Sequence, residues 1–424
     1  MDVVLILDHG HVNGGQAKVA IESALGLAAR GHRVDLLAAV GPVDPRLAAA
    51  GIGVTCLGQP DITTATSKLA FAGQMLWNGP AERALAGLLA GRDPRHTLVH
   101  MHAWAKALSP SIFAAIRRAG LPALYTMHEF FLVCPNGGLY DYRRHEICHR
   151  RPLSGACMAA NCDMRSYPRK AMRLARHLLL ERVARWPEGI RDVVTISALQ
   201  EEVAGPLLPP GVRRHRIDNP IAVEDAGPKP AGASGPITYV GRLSTEKGVV
   251  LLAEAARLAG IAPVFVGDGP EAETLRRLYP EARLLGWRDA AGVRDALRAA
   301  SALVFPSIWY EGQPLTVYEA LALGTPVVVS DACAGREAVA DGETGYWFPS
   351  GDAAALAERL TRLRDPATVT ALGAEAYRRY WAKPLTLSAH CDRLEEVYGL
   401  VLRQGSAEPA AARAGDRPRL APVG

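Results

Sequence analysis

The sequence predicts an α/β protein built from two doubly wound parallel sheets, on three observations. Strand-like and helix-like segments alternate twice along the chain, a Pro/Gly/Ala-rich stretch separates the two series, and each series opens on a glycine loop behind a strand. At 424 residues there is enough chain for two or three domains, each with its own core.

The first series opens with VVLILD as a strand, HGHVNGG as a loop, QAKVAIESALGLAAR as a helix and HRVDLLAAV as the next strand. Further strands are predicted at TLVHMHA, PALYTMHE and VVTIS, with helical stretches between most of them. EDAGPKPAGASGP (224–236) reads as a linker. Behind it the second series places strands at ITYVGRL, PVFVGDG, ARLLGW, ALVFPS and PVVVSD. The boundaries are therefore 1–223 for the first domain, 237–384 for the second, a helix over 385–403, and a disordered tail over 404–424. Two such domains face each other across a cleft at the C-terminal ends of their sheets.

A hydrophobic content of 49% against 21% charged is that of a soluble globular protein. The N-terminus MDVVLILDHGH lacks the basic region and cleavage site of a signal peptide, and no apolar run is long enough to span a bilayer. Both predict a cytoplasmic protein. The net charge of +5 is unevenly spread: from Arg143 to Arg185 eleven Lys/Arg stand against Glu146, Asp163 and Glu181. One surface is basic, without the interleaved aromatics of a nucleic-acid platform, so no nucleic-acid partner is expected.

GRLSTEKG (241–248) follows a strand and leads into a helix. Its glycines permit close backbone approach, the helix start offers free N–H groups, and Arg242 and Lys247 add two cations; that combination suits a diphosphate. VGDGPE (266–271) repeats the strand–glycine turn with Gly267, and NGG (13–15) puts Gly14 and Gly15 at the first strand–helix junction, where doubly wound folds bind phosphates. EGQPLTVYEA (311–320) sets Glu311 before a helix that Pro314 starts, with Glu319 more than a turn inside it. Gly324 suits its C-terminal cap. Asp-x-Asp, the pair on which metal-dependent sugar-nucleotide sites commonly rely, occurs nowhere in the chain.

In the first half, His128 ends the strand YTMHE and would look into the cleft, with His102 of HMHAWAK as a second cleft candidate. Cys134, Cys148, Cys157 and Cys162 lie close together, but only the last pair has a spacing typical of zinc ligands. Structural zinc, unligated thiols and a disulfide stay open, with a reducing cytoplasm against the last. RSYPRKAMRLARHLLLERVARW (165–186) sets Met172, Leu174, Leu178, Leu179, Val183 and Trp186 at helical spacing among basic residues. It reads either as a helix packed on the domain with a solvated cationic face or as a peripheral contact with the anionic inner face of a membrane.

The run GRLSTEKG, VGDGPE, EGQPLTVYEALALGTPVVVS and DGETGYWF resembles the donor domain of the family 4 (group 1) retaining glycosyltransferases. NGGQAKVA, HMHAWAKALSPS and YTMHEFFLVCPNGG resemble the acceptor domain of bacterial members that carry a Cys-containing insert, here 134–186. The likeness runs from about residue 3 to about 402 and implies the GT-B fold. It implies transfer of a sugar from a UDP- or GDP-type nucleotide sugar to a glycan or lipid-linked acceptor of cell-surface polysaccharide synthesis, with no cofactor required for catalysis. By the family pattern His128 and Glu311 face the transferred sugar. Arg242, Lys247, Gly14, Gly15, Gly241, Gly267 and Gly312 serve the diphosphate and its approach. The N–H groups around Pro314, Leu315 and Thr316 face sugar and phosphate, and Glu319 takes the ribose hydroxyls. The chain departs from the pattern in its first loop, where Lys18 stands near the place of an expected Glu. A nucleotide-sugar 2-epimerase on the same fold and a non-catalytic binding protein with a relict donor site are the alternatives.

Overall fold

A computed structural model describes residues 1–61, 64–230, 232 and 235–407. Its first sheet holds β1 (Asp2–His9), β2 (Arg33–Val40), β3 (Gly53–Cys56), β4 (Thr97–Met101) and β5 (Ala123–Thr126). A two-stranded antiparallel hairpin follows, β6 (Tyr140–Asp141) with β7 (Glu146–Ile147), before β8 (Asp192–Thr195) and β9 (Arg213–Arg216) complete the sheet. The order is β3-β2-β1-β4-β5-β8-β9, all parallel. The second sheet runs β12-β11-β10-β13-β14-β15, also all parallel. Its strands are β10 (Ile237–Val240), β11 (Val264–Val266), β12 (Arg283–Leu284), β13 (Ala302–Phe305), β14 (Val327–Ser330) and β15 (Gly345–Phe348).

Both sheets are buried on both faces, which is why their central strands read as unbroken apolar runs. In β1 the side chains of Val3, Leu5 and Leu7 enter one core and those of Val4 and Ile6 the other. In β13 the same alternation divides Ala302 and Val304 from Leu303 and Phe305. The strand order reverses beside β1 and beside β10, and at such switch points the loops that leave the strand ends open a crevice.

The helix Leu387–Ala407 returns to the first domain, where Leu394, Val397, Tyr398, Val401 and Leu402 join the core beneath β1. Fully burying each large apolar side chain contributes about 1.5–3 kcal/mol, enough for this helix to fasten the chain's end to the opening domain. Arg30 and His32 bind Glu395 at 2.8 and 2.7 Å on the rim of that contact. The helix covers 404–407 of the stretch expected to be tail, and 408–424 lie outside the described residues. No helix among the described residues is long and apolar enough to cross a membrane.

Candidate active site

The two switch points face each other and enclose a cavity of about 840 Å³. One wall comes from the first domain: Gly14, Gly15 and Lys18, on the loop and first turn behind β1. A Cβ on Gly15 would stand 3.5 Å from the Leu315 side chain, so the glycine loop lies directly against the helix Leu315–Ala322 of the second domain. The opposite wall carries Gly241, Arg242, Lys247, Glu311, Pro314, Leu315, Thr316 and Glu319. The structure thus brings most of the residues singled out in the sequence into one space.

Local backbone chemistry explains the wall. The loop behind β10 tightens at Gly248, whose φ of +69° and 2.0 Å clearance from Pro306 O would exclude any side chain. Tyr239 Oη donates to Arg242 O at 2.8 Å and holds the turn. Behind β13 the helix starts at Leu315 with Pro314 as its cap, and no side chain bonds to its free N–H groups. They and the positive end of the helix dipole are open to an anion.

The charged groups are paired, not idle. Lys247 Nζ lies 2.5 Å from Glu311 Oε1, and the same oxygen accepts from Trp309 Nε1 at 2.6 Å and Ser307 Oγ at 2.9 Å. Lys247 also stands 5.3 Å from the Trp309 ring centre, within cation–π range. Across the cleft, Lys18 Nζ meets Glu319 Oε1 at 3.3 Å. Arg242 is exposed at the cavity rim.

Four of the sequence candidates sit elsewhere. Gly267 buttresses: its φ is +139°, and a Cβ there would stand 1.9 Å from Gly241 O, so it lets β11 approach the loop behind β10 and lines no part of the cavity. Gly312 faces Ile196 and Gln200 of the first domain, a contact at the domain seam. His128, half-buried at the end of β5, lies outside the cavity lining; its Nε2 bonds His102 Nδ1 at 3.0 Å. His102 is not a cleft group. It is 1% exposed, stacked between His100 and His128, with its Nε2 buried and without a hydrogen-bond partner. Burial pushes His128 down to about 3 and His102 well below the ordinary histidine range, so both imidazoles are neutral at physiological pH.

The four cysteines line one small cavity, but Lys170 stands in it, its Nζ 3.0 Å from Cys162 Sγ and 3.7 Å from Cys157 Sγ. Asn136 Nδ2 donates to the Cys162 sulfur at 3.1 Å and an Arg150 nitrogen to the Cys148 sulfur at 3.4 Å. An ammonium, an amide and a guanidinium thus lie against these sulfurs, and among the described residues no group of three His, Cys, Asp or Glu is arranged to hold a metal ion.

Sequence reading missed Trp309 and Ser307, and it met Lys18 only as a departure in the first loop, without its partner Glu319. Trp309 could have been noticed as an aromatic two residues before Glu311. It is packed by Tyr140 and Tyr142 of the cysteine-rich insert, ring centres 6.4 Å away, so the insert braces the loop that carries Glu311. Asp8 was missed too: buried at the end of β1, it accepts from the N–H groups of Lys106, Ala107 and Leu108 and shapes the loop behind β4.

Residues 14–220 match the family described as glycosyl transferase 4-like domain, and residues 235–365 match glycosyl transferases group 1. A phosphatidyl-myo-inositol mannosyltransferase of Mycobacterium leprae is 35% identical over 243 residues, which are 52% of this chain and 62% of that protein. The chain thus spans less than two thirds of that relative's length. Among solved structures, the sucrose-phosphate synthase of Thermosynechococcus elongatus is similar with a TM-score of 0.67 at 21% identity, covering 95% of this chain and 99% of that one. Anabaena Alr3699/HepE in complex with UDP and glucose is similar with a TM-score of 0.64 at 17% identity, covering 94% of this chain and 100% of that one. At such identities the likeness is one of fold.

Proposed function

The chain belongs to the group 1 glycosyl transferases, a 4-like half joined to a group 1 half on the GT-B fold, and on that premise we propose that it is a retaining glycosyltransferase. It moves a sugar from a UDP- or GDP-type nucleotide sugar to a glycan or lipid-linked acceptor of cell-surface polysaccharide synthesis. One observation carries the reading. A single cavity joins a glycine loop, the cations Arg242 and Lys247, a helix N-terminus without a side-chain cap bond, and the carboxylates Glu311 and Glu319, eight residues apart.

Each part suits one portion of the donor. Arg242, Lys247 and the free N–H groups of Leu315 and Thr316 neutralise the diphosphate as it leaves, a role preorganised donors fill well in a water-poor cleft. With no Asp-x-Asp in the chain, this cationic set works in place of a bridging metal. Glu311 presents a carboxylate held from one side by three donors, and its second oxygen, which takes none of those bonds, accepts from a sugar hydroxyl. Glu319 accepts from the ribose hydroxyls once Lys18 yields it. His128, pushed down to about 3 and outside the cavity lining, is too weak a base for the acceptor, so the departing phosphate takes the acceptor's proton.

The test is a panel of nucleoside diphosphates and nucleotide sugars read by thermal shift, then by transfer. A ligand at 100 times its Kd raises stability by about 2.7 kcal/mol. Release of nucleoside diphosphate only when acceptor is added supports the proposal. Conversion of the donor to an epimer without acceptor refutes it, as does the absence of any shift across the panel.

A further inference from the structure

The helix Tyr167–Leu178 turns two of its cations inward, at Lys170 and Arg176, which are 1% and 4% exposed. Arg176 is well partnered: it donates to Ala105 O at 2.6 Å and lies over the Trp104 and Phe131 rings. Lys170 is not. Among the described residues its Nζ meets no carboxylate and no carbonyl oxygen; its partners are two sulfurs, Cys162 Sγ at 3.0 Å and Cys157 Sγ at 3.7 Å. A buried ammonium is costly unless an opposite charge or hydrogen bonds answer it. The Cys162 sulfur also accepts from Asn136 Nδ2 at 3.1 Å, so two donors converge on one atom. When that thiol gives up its proton, the thiolate is met by an ammonium and an amide, surroundings that favour a nucleophilic cysteine. Cys157 stands beside it as the second sulfur on the same ammonium.

The same stretch of chain holds the insert against the donor cavity. Cys162 O accepts from Tyr142 N at 3.4 Å and from Asn136 Nδ2 at 3.0 Å. Tyr140 and Tyr142 meet Trp309 edge-on, and a Cβ on Gly138 would stand 3.2 Å from that ring. Trp309 Nε1 in turn donates to Glu311 Oε1 at 2.6 Å. An unbroken run of contacts, from Cys162 through Tyr142 and Trp309 to Glu311, thus joins the thiol cavity to the carboxylate of the donor cavity.

We propose that Cys157 and Cys162 form a reversible disulfide on exposure to hydroperoxide, and that closing it loosens the loop that carries Glu311. The Cys162 thiolate attacks one oxygen of hydrogen peroxide; the O–O bond breaks, and hydroxide leaves and takes up the thiol's proton as water, giving a sulfenic acid. The Cys157 thiol then attacks that sulfur. The S–S bond forms, the S–O bond breaks, and the hydroxyl leaves as a second water with the Cys157 proton. Two thiols are oxidised and one peroxide is reduced. A disulfide offers Lys170 no charge to face, so the segment from Cys157 to Lys170 rearranges around a buried ammonium left unanswered. Tyr142, bonded to Cys162, moves with it, and Trp309 loses part of its brace. Transient bridges of this kind occur in reducing compartments, where structural ones are rare. The effect on transfer rests on the reaction proposed above, whereas the bridge does not.

The experiment treats the full chain, purified without a metal-binding tag, with hydrogen peroxide and then with dithiothreitol. Intact mass should fall by about 2 Da, peptide mapping should place the bond at Cys157–Cys162, and dithiothreitol should restore the mass. Amide exchange in 138–142 and 307–311 should quicken about threefold or more in the bridged chain. Transfer should drop about tenfold or more, as expected when a positioned group is displaced, and return on reduction. Cys157→Ser should abolish the mass loss and leave a dimedone-reactive sulfenic acid at Cys162, with transfer before oxidation that of the parent. Lys170→Met, or Asn136→Leu where that variant does not fold, should bridge about tenfold more slowly through its smaller thiolate fraction. A bridge to any other cysteine, no bridge at peroxide levels that oxidise Cys56, unchanged bridging rates in these variants, or zinc on the four sulfurs of the untreated chain overturns the proposal. Complete bridging that leaves exchange in both segments, or the activity of a transferring chain, unchanged overturns the coupling to Glu311. A chain that bridges and loosens yet transfers no sugar in either state refutes the transfer reaction and leaves the disulfide standing.

Discussion

Lys247 and Glu311, 64 residues apart in sequence, form the shortest link in the donor cavity, with Nζ 2.5 Å from Oε1. Each holds the other where a ligand needs it. The ammonium is kept in the cavity instead of swinging to solvent, and the carboxylate is turned so that one oxygen is committed and the other is not. The pair is partly buried, with side-chain exposures of 20% and 12%, so removing one partner leaves the other charge poorly solvated.

Lys247→Ala should therefore cut turnover by about 10²–10³-fold, the scale of losing one preorganised charge-stabilising donor. Arg242→Ala should act comparably. Lys247→Ala combined with Glu311→Gln should be less harmful than the two separate losses added, with a coupling of about 0.5–3 kcal/mol. Strict additivity in a double-mutant cycle would show that the pair does not work as a unit. A transfer reaction abolished by chelator and restored by magnesium would displace the cationic set from its assigned role.

The carboxylates should fail differently. On the proposed reading Glu311 faces the sugar, whose charge changes as the bond to phosphate breaks, so Glu311→Gln should lower kcat and leave donor KM nearly unchanged. On the same reading Glu319 faces the ribose, which does not change, so Glu319→Gln should raise donor KM with kcat largely kept. Steady-state kinetics with a fixed acceptor separates the two. The same pattern in both variants would end the proposed division of labour.

What could be read in advance followed local rules. The central strands β1, β10, β13 and β14 were plain because burial on both faces leaves no polar alternation to confuse. The edge strand β9 was not: its RRHR is polar, and it is held by charge, with Arg213 and His215 both bonded to Asp192 of β8. β3 is short and half-exposed, and the β6–β7 hairpin has two residues a side. In the site, Glu311 and Glu319 were legible because one helix start fixes their relation. The Lys18–Glu319 and Trp309–Glu311 contacts depend on which surfaces meet, which no local spacing encodes. His102 looked like a cleft residue because it follows a strand; burial beneath His128 is a tertiary outcome.

The cysteines should behave as thiols of graded reactivity, not as a metal centre. Burial pushes the Cys134 and Cys162 thiols up from their ordinary range, with Lys170 opposing the shift at Cys162. Cys56, half-buried and outside the insert, should alkylate with iodoacetamide well before either. Mass spectrometry of timed samples gives the order. Zinc at about one equivalent in protein purified without a metal-binding tag would refute the thiol reading.

Stability should fall on mild acidification, because four histidines are held neutral. Burial is the first cause in each case: His128 is pushed down to about 3, His390 to about 4, and His100 and His102 well below the usual value. A folded-state value below the unfolded one means that the unfolded chain binds protons first. Stability is then fully present above about pH 6.5 and is lost as pH falls below it, down towards the folded values. At pH 5.5 each such histidine costs on the order of 1 kcal/mol, and four together cost a substantial share of a typical total of 5–15 kcal/mol. The melting temperature should therefore drop steeply between about pH 7 and pH 5.5, before carboxylates titrate. His102→Gln removes one titrating group from the buried stack, and its melting temperature should depend less on pH even where the variant is less stable at pH 8. A flat profile in the parent chain, or an unchanged slope in that variant, would mean that these imidazoles can take up protons while folded.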